Sequence, residues 1–508
     1  MPRSSLTVLQ LWSLEDKENP ELLKTIEFEG SYISSRKIDD RVYFVIKSQP
    51  DYAVLEEPLI KGEELLPAFR ETNILGQEQE FETISNCTDI KYFDKDNVSE
   101  FITLGSLSMT DPLMTVNKEV MAGSGSQVYA SKNNLYLAQA QYDYIVRPAM
   151  PLIGDSWGPK EETIIHKFGL SGSETPYFGS MTAPGSILNQ FSMDEFNGFF
   201  RIATTIGHVS QKGGGSTNNV YIFDSARNLV GSLEDLAPGE KIYSARFMGE
   251  KGYIVTFKKV DPLFVIDLSI PSNPRVLGQL KIPGYSDYLH PIDETHLIGI
   301  GKDTVEAEQQ GRDFAWYQGV KIAVFDVTDV ANPIELHKEI IGDRGTDSLA
   351  LQDHKAFLFD KEKELLVIPV TLAELSEEQK ESGEKNAYGK FTFQGAYVYN
   401  LNLENGFELK GRITHVTDEE SFDKAGYRYY NDLEAVKRSL FIDNVLYTIS
   451  DSKIKLNNLT DLQELKELNF DISSINSFED CINAGYPIME SFPAQCRTPD
   501  GRTFKEIV

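Results

Sequence analysis

The densest run of residues able to do chemistry is "SDYLHPIDETHLIGIGKD", residues 286–303, where His290 and His296 stand among Asp287, Asp293 and Glu294. The chain has seven histidines, so two placed this close together raise the prospect of a metal site or an acid–base pair. Imidazole beside carboxylate serves either purpose. General acid–base work also needs a perturbed pKa and convergent geometry, neither of which spacing supplies. The elements that carry the two histidines therefore have to be identified first.

Those elements repeat. One unit is an alternating strand, a polar turn often carrying Asn-Pro, and a second strand: "LTVLQLWSLEDKENPELLKTIEFEG" from Leu6, "LFVIDLSIPSNPRVLGQLKIPG" from Leu263 and "VKIAVFDVTDVANPIELHKEIIG" from Val320. Weaker copies start near Glu100, Ile164, Asn219, Ala396 and Lys453. Between them lies a second unit, strand–tight turn–strand, as in "SYISSRKIDDRVYFVI", "SQVYASKNNLYLAQ", "IYSARFMGEKGYIVTF" and "RSLFIDNVLYTIS". Period-two alternation rich in Val, Ile, Tyr and Phe, broken by Asp, Asn and Gly, is the strand and hairpin signal. Together the two units make four antiparallel strands. The shortest repeat spacing, 43 residues between Asp224 and Asp267, matches a propeller blade of ~40–50 residues. A glycine usually precedes the next unit (Gly30, Gly123, Gly185, Gly239, Gly284, Gly345), where the chain must cross from an outer strand to an inner one.

The expectation is an all-β propeller of four-stranded antiparallel blades. Seven are complete, and residues 6–29 form a half blade without inner strands, so the count is seven or eight. The propeller is assigned to residues 1–470 and a small cysteine-containing module to 471–508. Insertions at 49–97, 141–160, 302–318, 371–393 and 416–430 are long loops of the kind that usually carry binding. Segment 374–386 is charged and reads either as a short helix or as a mobile stretch.

Returned to this frame, "SDYLHPIDETHLIGIGKD" is the inner hairpin of one blade. His296 aligns with the apolar Val42 and Leu135 and reads as a packing or turn residue. His290 aligns with Arg36, Tyr129 and Arg246, a recurrent polar position that, with Asp287, forms the expected ligand-binding set at a channel mouth. Hydrogen bonding between blades would explain the same residues.

Other motifs are sparse. HExxH, the P-loop and G-x-S-x-G do not occur, and "KGGGSTNN" at 212–219 has no following helix to cradle phosphate. "DKDNVSE" from Asp94 departs from a calcium loop at Val98 and Ser99; Asp94, Asp96 and Asn97 stay as an irregular, structural calcium site. No other cofactor is expected.

The formal charge of −29 opposes nucleic acid and anionic lipid and favours cationic partners or divalent ions. No run approaches the ~20 apolar residues of a membrane span, and a monomer is expected. The start does not read as a signal peptide, so either an export signal lies upstream or the protein is cytosolic. Cys481 and Cys496 bracket a loop with two prolines and a glycine. A disulfide there points to an oxidising, extracytoplasmic setting; two free thiols are the alternative.

"GSYISSRKIDDRVYFVI", "LNQFSMDEFNGFFRIATT", "DHKAFLFDKEKELLVIPV" and the run from Leu236 to Pro291 resemble a family of secreted bacterial and archaeal proteins with a β-propeller domain distantly related to WD repeats. The resemblance implies export or surface attachment and no established catalytic residue. The expected function is non-catalytic binding or scaffolding of a protein or glycan at the cell surface. A hydrolase or lyase with its site at the channel mouth, and a calcium-stabilised adhesion module, are the alternatives.

Overall fold

Alternating and continuous apolar runs resolve into strands in a computed structural model of the chain. It describes residues 6–50, 65–72, 79–92, 100–143, 160–209, 215–257, 261–306, 315–417, 422, 433–470, 475–483, 488–489, 493–498 and 502–506. The chain divides into two compact units, residues 1–202 with 223–228, and residues 203–222 with 229–508. The divisions fall within the strands Phe199–Gly207 and Ser216–Phe223 and just before Leu229–Leu236.

In the first unit the expected inner hairpin Ser31–Ile38/Arg41–Ser48 pairs on to Phe101–Ser108 and Asn117–Ala122. A second sheet runs Gln127–Ala130, Asn134–Asp143, Lys160–Gly169, Tyr177–Pro184. The outer pair Leu6–Ser13/Glu21–Glu29 has no inner hairpin among the described residues. It is extended on its other side by Ala68–Thr72 and Glu82–Thr83. Those strands come from the insertion that sequence alone reads as loop. Phe69 packs on Phe28 at 6.0 Å between ring centres, and Phe28 on Phe44 at 5.2 Å, so the insertion joins the core.

The second unit contains four sheets of the same order: Lys241–Met248 to Arg275–Ile282, Tyr285–Pro291 to Ile334–Ile341, Leu358–Asp360 to Gly406–Ile413, and Arg438–Ile442 to Glu464–Asn469. The middle strands are covered on both faces. Val320, Ile322, Val324, Leu366, Val367, Ile368 and Val398 are fully buried, which is why these segments read as unbroken apolar runs. Outer strands such as Arg275–Ile282 show one face to water and alternate.

Outer hairpins close on side chains. Asp267 accepts from the backbone N–H and hydroxyl of Ser269, and Asp326 accepts from the Thr328 N–H. These Asx turns explain the recurring Asp. The crossing glycines Gly30, Gly123, Gly185, Gly239, Gly284 and Gly345 all take positive φ, a region costly for residues with a Cβ. At Gly30 and Gly284 a Cβ would also lie 2.4 Å from the Lys47 carbonyl oxygen and 2.6 Å from that of Lys302.

Two expected inner strands are shortened. Asn189 caps a 3-10 turn at Gln190–Ser192; Ser348 and Asp353 cap two more at Leu349–Leu351 and His354–Ala356. Their side chains bond the backbone locally and so compete with strand pairing. Segment 374–386 holds the helix Glu377–Ser382, closed by a Ser376/Gln379 capping box and by Gly383. Near the C-terminus Cys481 and Cys496 form a disulfide, with Ile475, Phe478, Phe504 and Leu433 packed around it.

Candidate functional site

The recurrent polar position holds as topology. Arg36 pairs with Tyr43, Tyr129 with Tyr136, Arg246 with Tyr253 and His290 with Ile298, each just before its hairpin turn. The environments of these residues differ, and most are internally satisfied.

In the first unit Arg36 donates to Ser34 Oγ (2.9 Å), the Ser35 carbonyl (2.7 Å) and Gln190 Oε1 (2.7 Å). The Tyr129 hydroxyl donates to Asp194 (3.3 Å) and accepts from the Glu195 N–H (3.0 Å). Burial, then the Asp194 charge, raises its pKa above the ordinary phenol range. Glu195 in turn accepts from Asn134 at 2.8 and 3.0 Å and from Ser131, and Arg201 is paired with Asp194. Arg36 and Tyr129 are thus tied into the packing of their own unit, as buried polar groups must be.

In the second unit His290 lies among rings: Phe357 at 5.1 Å, Phe359 at 5.5 Å and Tyr288 at 5.9 Å, with a 2.9 Å hydrogen bond between its Nδ1 and the Tyr288 hydroxyl. Burial, aided by the Arg246 charge, pushes its imidazole down to about 4. His296 belongs to the hairpin turn. Its Nδ1 is 2.9 Å from Asp293 Oδ1, and Asp293 also binds the Thr295 N–H and Lys361. Burial of Asp293 is outweighed by these bonds, which hold its carboxyl below the usual range. The two histidines that draw the eye in the sequence sit in separate settings. Asp94, Asp96 and Asn97 lie outside the described residues; among those described, no group of three or more His, Cys, Asp or Glu is arranged to hold a metal.

Asp287 is different. The pairing register shifts between Ser286 and Tyr288, leaving Asp287 as the extra residue of a β-bulge. The same shift of register falls at Tyr243 in the preceding sheet and at Ile33 in the first unit. Bulges re-aim side chains. Here Tyr243 packs on Tyr285, the Asp287 charge also acts on Tyr285, and Ser244 Oγ ties the strands by donating to the Ser286 carbonyl at 2.7 Å. Tyr285 packs on Tyr243 (4.7 Å), Phe257 (4.8 Å) and Tyr317 (5.2 Å), and Tyr243 meets Phe257 edge-on at 5.4 Å. Phe257 and Tyr285 are buried at 3% and 7% exposure, whereas Tyr317, from the 302–318 insertion, is 43% exposed. The Tyr243 and Tyr317 hydroxyls are 3.5 Å apart.

No hydrogen bond is made to the Asp287 carboxyl among the described residues. Burial pushes its pKa up to about 7; the Lys302 and Lys241 charges oppose that shift and Asp347 adds to it. Lys302 is itself committed, lying 2.9 Å from Asp347 and donating to the Thr346 carbonyl. Beside this cluster Arg344 is clamped between Trp316 (4.5 Å) and Tyr388 (4.3 Å), both from the insertions, and its Nη2 donates to the Tyr388 hydroxyl at 3.0 Å. Of the expected set, Asp287 is the described carboxylate, and its charge acts on the buried Tyr285. Sequence reasoning missed Tyr243, Tyr285 and Tyr317. Their signal was alignment of Tyr243 with Asp287 across two repeats, and the bulge that turns both is invisible without pairing.

Four-stranded antiparallel sheets joined by positive-φ glycines define an all-β propeller protein. The chain belongs to the β-propeller domain family, which matches residues 2–462. An uncharacterised protein of Methanocaldococcus jannaschii is 37% identical over 62% of this chain and 42% of its own length. One of Archaeoglobus fulgidus is 37% identical over 41% of this chain and 30% of its own. The chain thus spans less than half of either relative. Among solved structures it is similar to apo AztD from Citrobacter koseri (12% identity, TM-score 0.33, covering 80% of this chain and 92% of that one). It is also similar to the C-terminal WD40 domain of Sif2 (10%, 0.32, covering 73% and 77%).

Proposed function

We propose that the chain is an extracytoplasmic binding module that engages a protein or glycan at the cell surface, acting as a monomer. The observation that carries this reading is the aromatic cluster of Tyr243, Phe257, Tyr285 and Tyr317, with Tyr317 exposed and the Asp287 charge acting on Tyr285. Large rings with polar tips, exposed at one rim and rigidly backed, suit recognition of peptide or sugar surfaces. The Cys481–Cys496 disulfide supports placement in an oxidising compartment.

The test is a combined peptide and glycan array probed with the purified chain, with Tyr317→Ala and Asp287→Asn as controls. A ligand class captured by the native chain and lost in both variants supports the reading. Capture of nothing, or of ligands indifferent to both substitutions, sinks it. For location, a chain directed to the periplasm of an expression host should recover the disulfide fully oxidised, and a tail that stays reduced there would count against export.

A further inference from the structure

We infer that Asn86 is the acceptor for an asparagine-linked glycan, with its side-chain amide joined to the first sugar of an oligosaccharide. The inference rests on the extracytoplasmic placement proposed above and assigns a modification site in the first unit. The chain holds three Asn-x-Ser/Thr triplets, starting at Asn86, Asn97 and Asn458. Such a triplet is used where it lies open on the surface of an exported chain. Asn97 lies outside the described residues, so the geometry bears on Asn86 and Asn458. In Asn86-Cys87-Thr88 all three residues are exposed, as is Asp89 after them. Asp89 closes the turn: its N–H donates to the Asn86 carbonyl at 3.0 Å, and its carboxylate accepts from Asn86 Nδ2 at 3.0 Å and from Thr88 Oγ1 at 3.4 Å. These bonds are local and their side chains solvated, so lifting the triplet into an enzyme disturbs no packing. Just before the turn, Ile84 is buried in the core with Phe28 and Phe44, which gives the turn a fixed base.

Asn458-Leu459-Thr460 is the opposite case. Asn458 ends the strand Lys453–Asn458, and its Oδ1 accepts from the Thr460 N–H at 2.8 Å and from Asn444 Nδ2 at 3.1 Å. The Thr460 hydroxyl also accepts from Asn444 Nδ2, at 3.1 Å, and Leu459 is buried at 5% exposure. That triplet leaves its sheet only by local unfolding. A glycan at Asn86 would also serve the sheet beside it. Glu82–Thr83 is the last strand of its sheet, and such edges invite pairing with other chains. A bulky, hydrated group just beyond the strand hinders that pairing. The bond forms by displacement. Asn86 Nδ2 attacks the anomeric carbon of a lipid-pyrophosphate-linked oligosaccharide. The N–C bond forms, the C–O bond to phosphate breaks, the amide gives up one proton and lipid pyrophosphate leaves.

The experiment has two arms. In one, the folded full chain is incubated with an oligosaccharyltransferase that recognises Asn-x-Thr and a lipid-pyrophosphate oligosaccharide, with a free Asn-x-Thr peptide as activity control. In the other, the chain is directed through the secretory route of a host that carries both. Peptide mass spectrometry reads occupancy at each asparagine, and the redox state of Cys481 and Cys496 reports export. Asn86 should be glycosylated in both arms. In the first arm Asn458 should react more slowly by about tenfold or more, because its bonds and the burial of Leu459 must first be lost. Thr88→Ala should abolish the glycan and Thr88→Ser should keep it, a pattern that a change in folding alone would not produce. Asp89→Ala, which frees the Asn86 amide, should speed transfer about threefold. A bare Asn86 in the folded chain beside a glycosylated control peptide overturns the inference. So does equal transfer to Asn458, since exposure would then decide nothing. A bare Asn86 in a chain whose cysteines are oxidised on export overturns the inference and leaves the placement standing. A bare Asn86 with reduced cysteines removes both.

Discussion

At the scale of single residues, Asp287 and His290 share one strand and are perturbed by the same cause with opposite sign. Burial disfavours charge on each, so Asp287 is raised to about 7 and His290 lowered to about 4. For Asp287 the folded state keeps a proton that the unfolded chain has lost, so stability falls as pH rises from about 3.8 to about 7. Asp287→Asn should flatten that limb and be more stable than the native chain at pH 8 by on the order of 2 kcal/mol, after discounting for partial exposure. Urea unfolding at pH 5 and pH 8 measures the difference; equal slopes for both proteins would refute it. For His290 the unfolded chain takes up a proton first, so stability is lost as pH falls from about 6.5 to about 4. Its imidazole resonance should titrate near 4. His290→Ala, which removes the packing on Phe357 and Phe359 and the bond to Tyr288, should cost about 2 kcal/mol. A midpoint near 6.5 with a negligible cost would mean the ring is solvated.

At the scale of elements, the crossing glycines do the most with the least. Gly284 has φ +93, donates its N–H to Thr304 Oγ1 at 2.9 Å, and would place a Cβ 2.6 Å from the Lys302 carbonyl oxygen. Gly284→Ala therefore meets both backbone strain and a collision with a paired strand. A loss of about 2 kcal/mol or more is expected from the midpoint of thermal unfolding. It should also disturb Lys302, and with it the surroundings of Asp287, so the Asp287 limb of the pH profile should shift in the same variant. A fully native melting curve would show that the crossing can relax. The strands Ala68–Thr72 and Glu82–Thr83 teach the complementary lesson. Their segment is charged and irregular in sequence; Ala68–Thr72 becomes strand by pairing with Glu21–Glu29, and Glu82–Thr83 by pairing in turn with Ala68–Phe69. Propensity there is overridden by an available sheet edge.

At the scale of the whole molecule, the C-terminal disulfide closes a short loop onto a small core of Ile475, Phe478 and Phe504. A loop of that size is worth about 3 kcal/mol in the chain-entropy view. Reduction should release amide protection in residues 475–483, 493–498 and 502–506 in hydrogen exchange while leaving the strands Val320–Phe325 and Leu365–Val370 protected. Loss of protection in those strands would mean the tail supports more than itself. Much of the architecture was legible in the chain itself: period-two alternation, Asp-closed turns and recurrent glycines are local signals, and they specify strands, hairpins and crossings through backbone sterics and side-chain burial. The site was legible only in part. Asp287 could be named because it lies in a repeat that aligns, and the flanking histidines drew more notice because imidazole is rare here. What tertiary structure decided was which partners each of these residues meets. Arg36, Tyr129 and His290 found partners, His296 settled into its own turn, and Tyr243 packed on Tyr285, on which the Asp287 charge also acts. Those outcomes depend on strand register and on distant side chains, and a linear pattern carries neither.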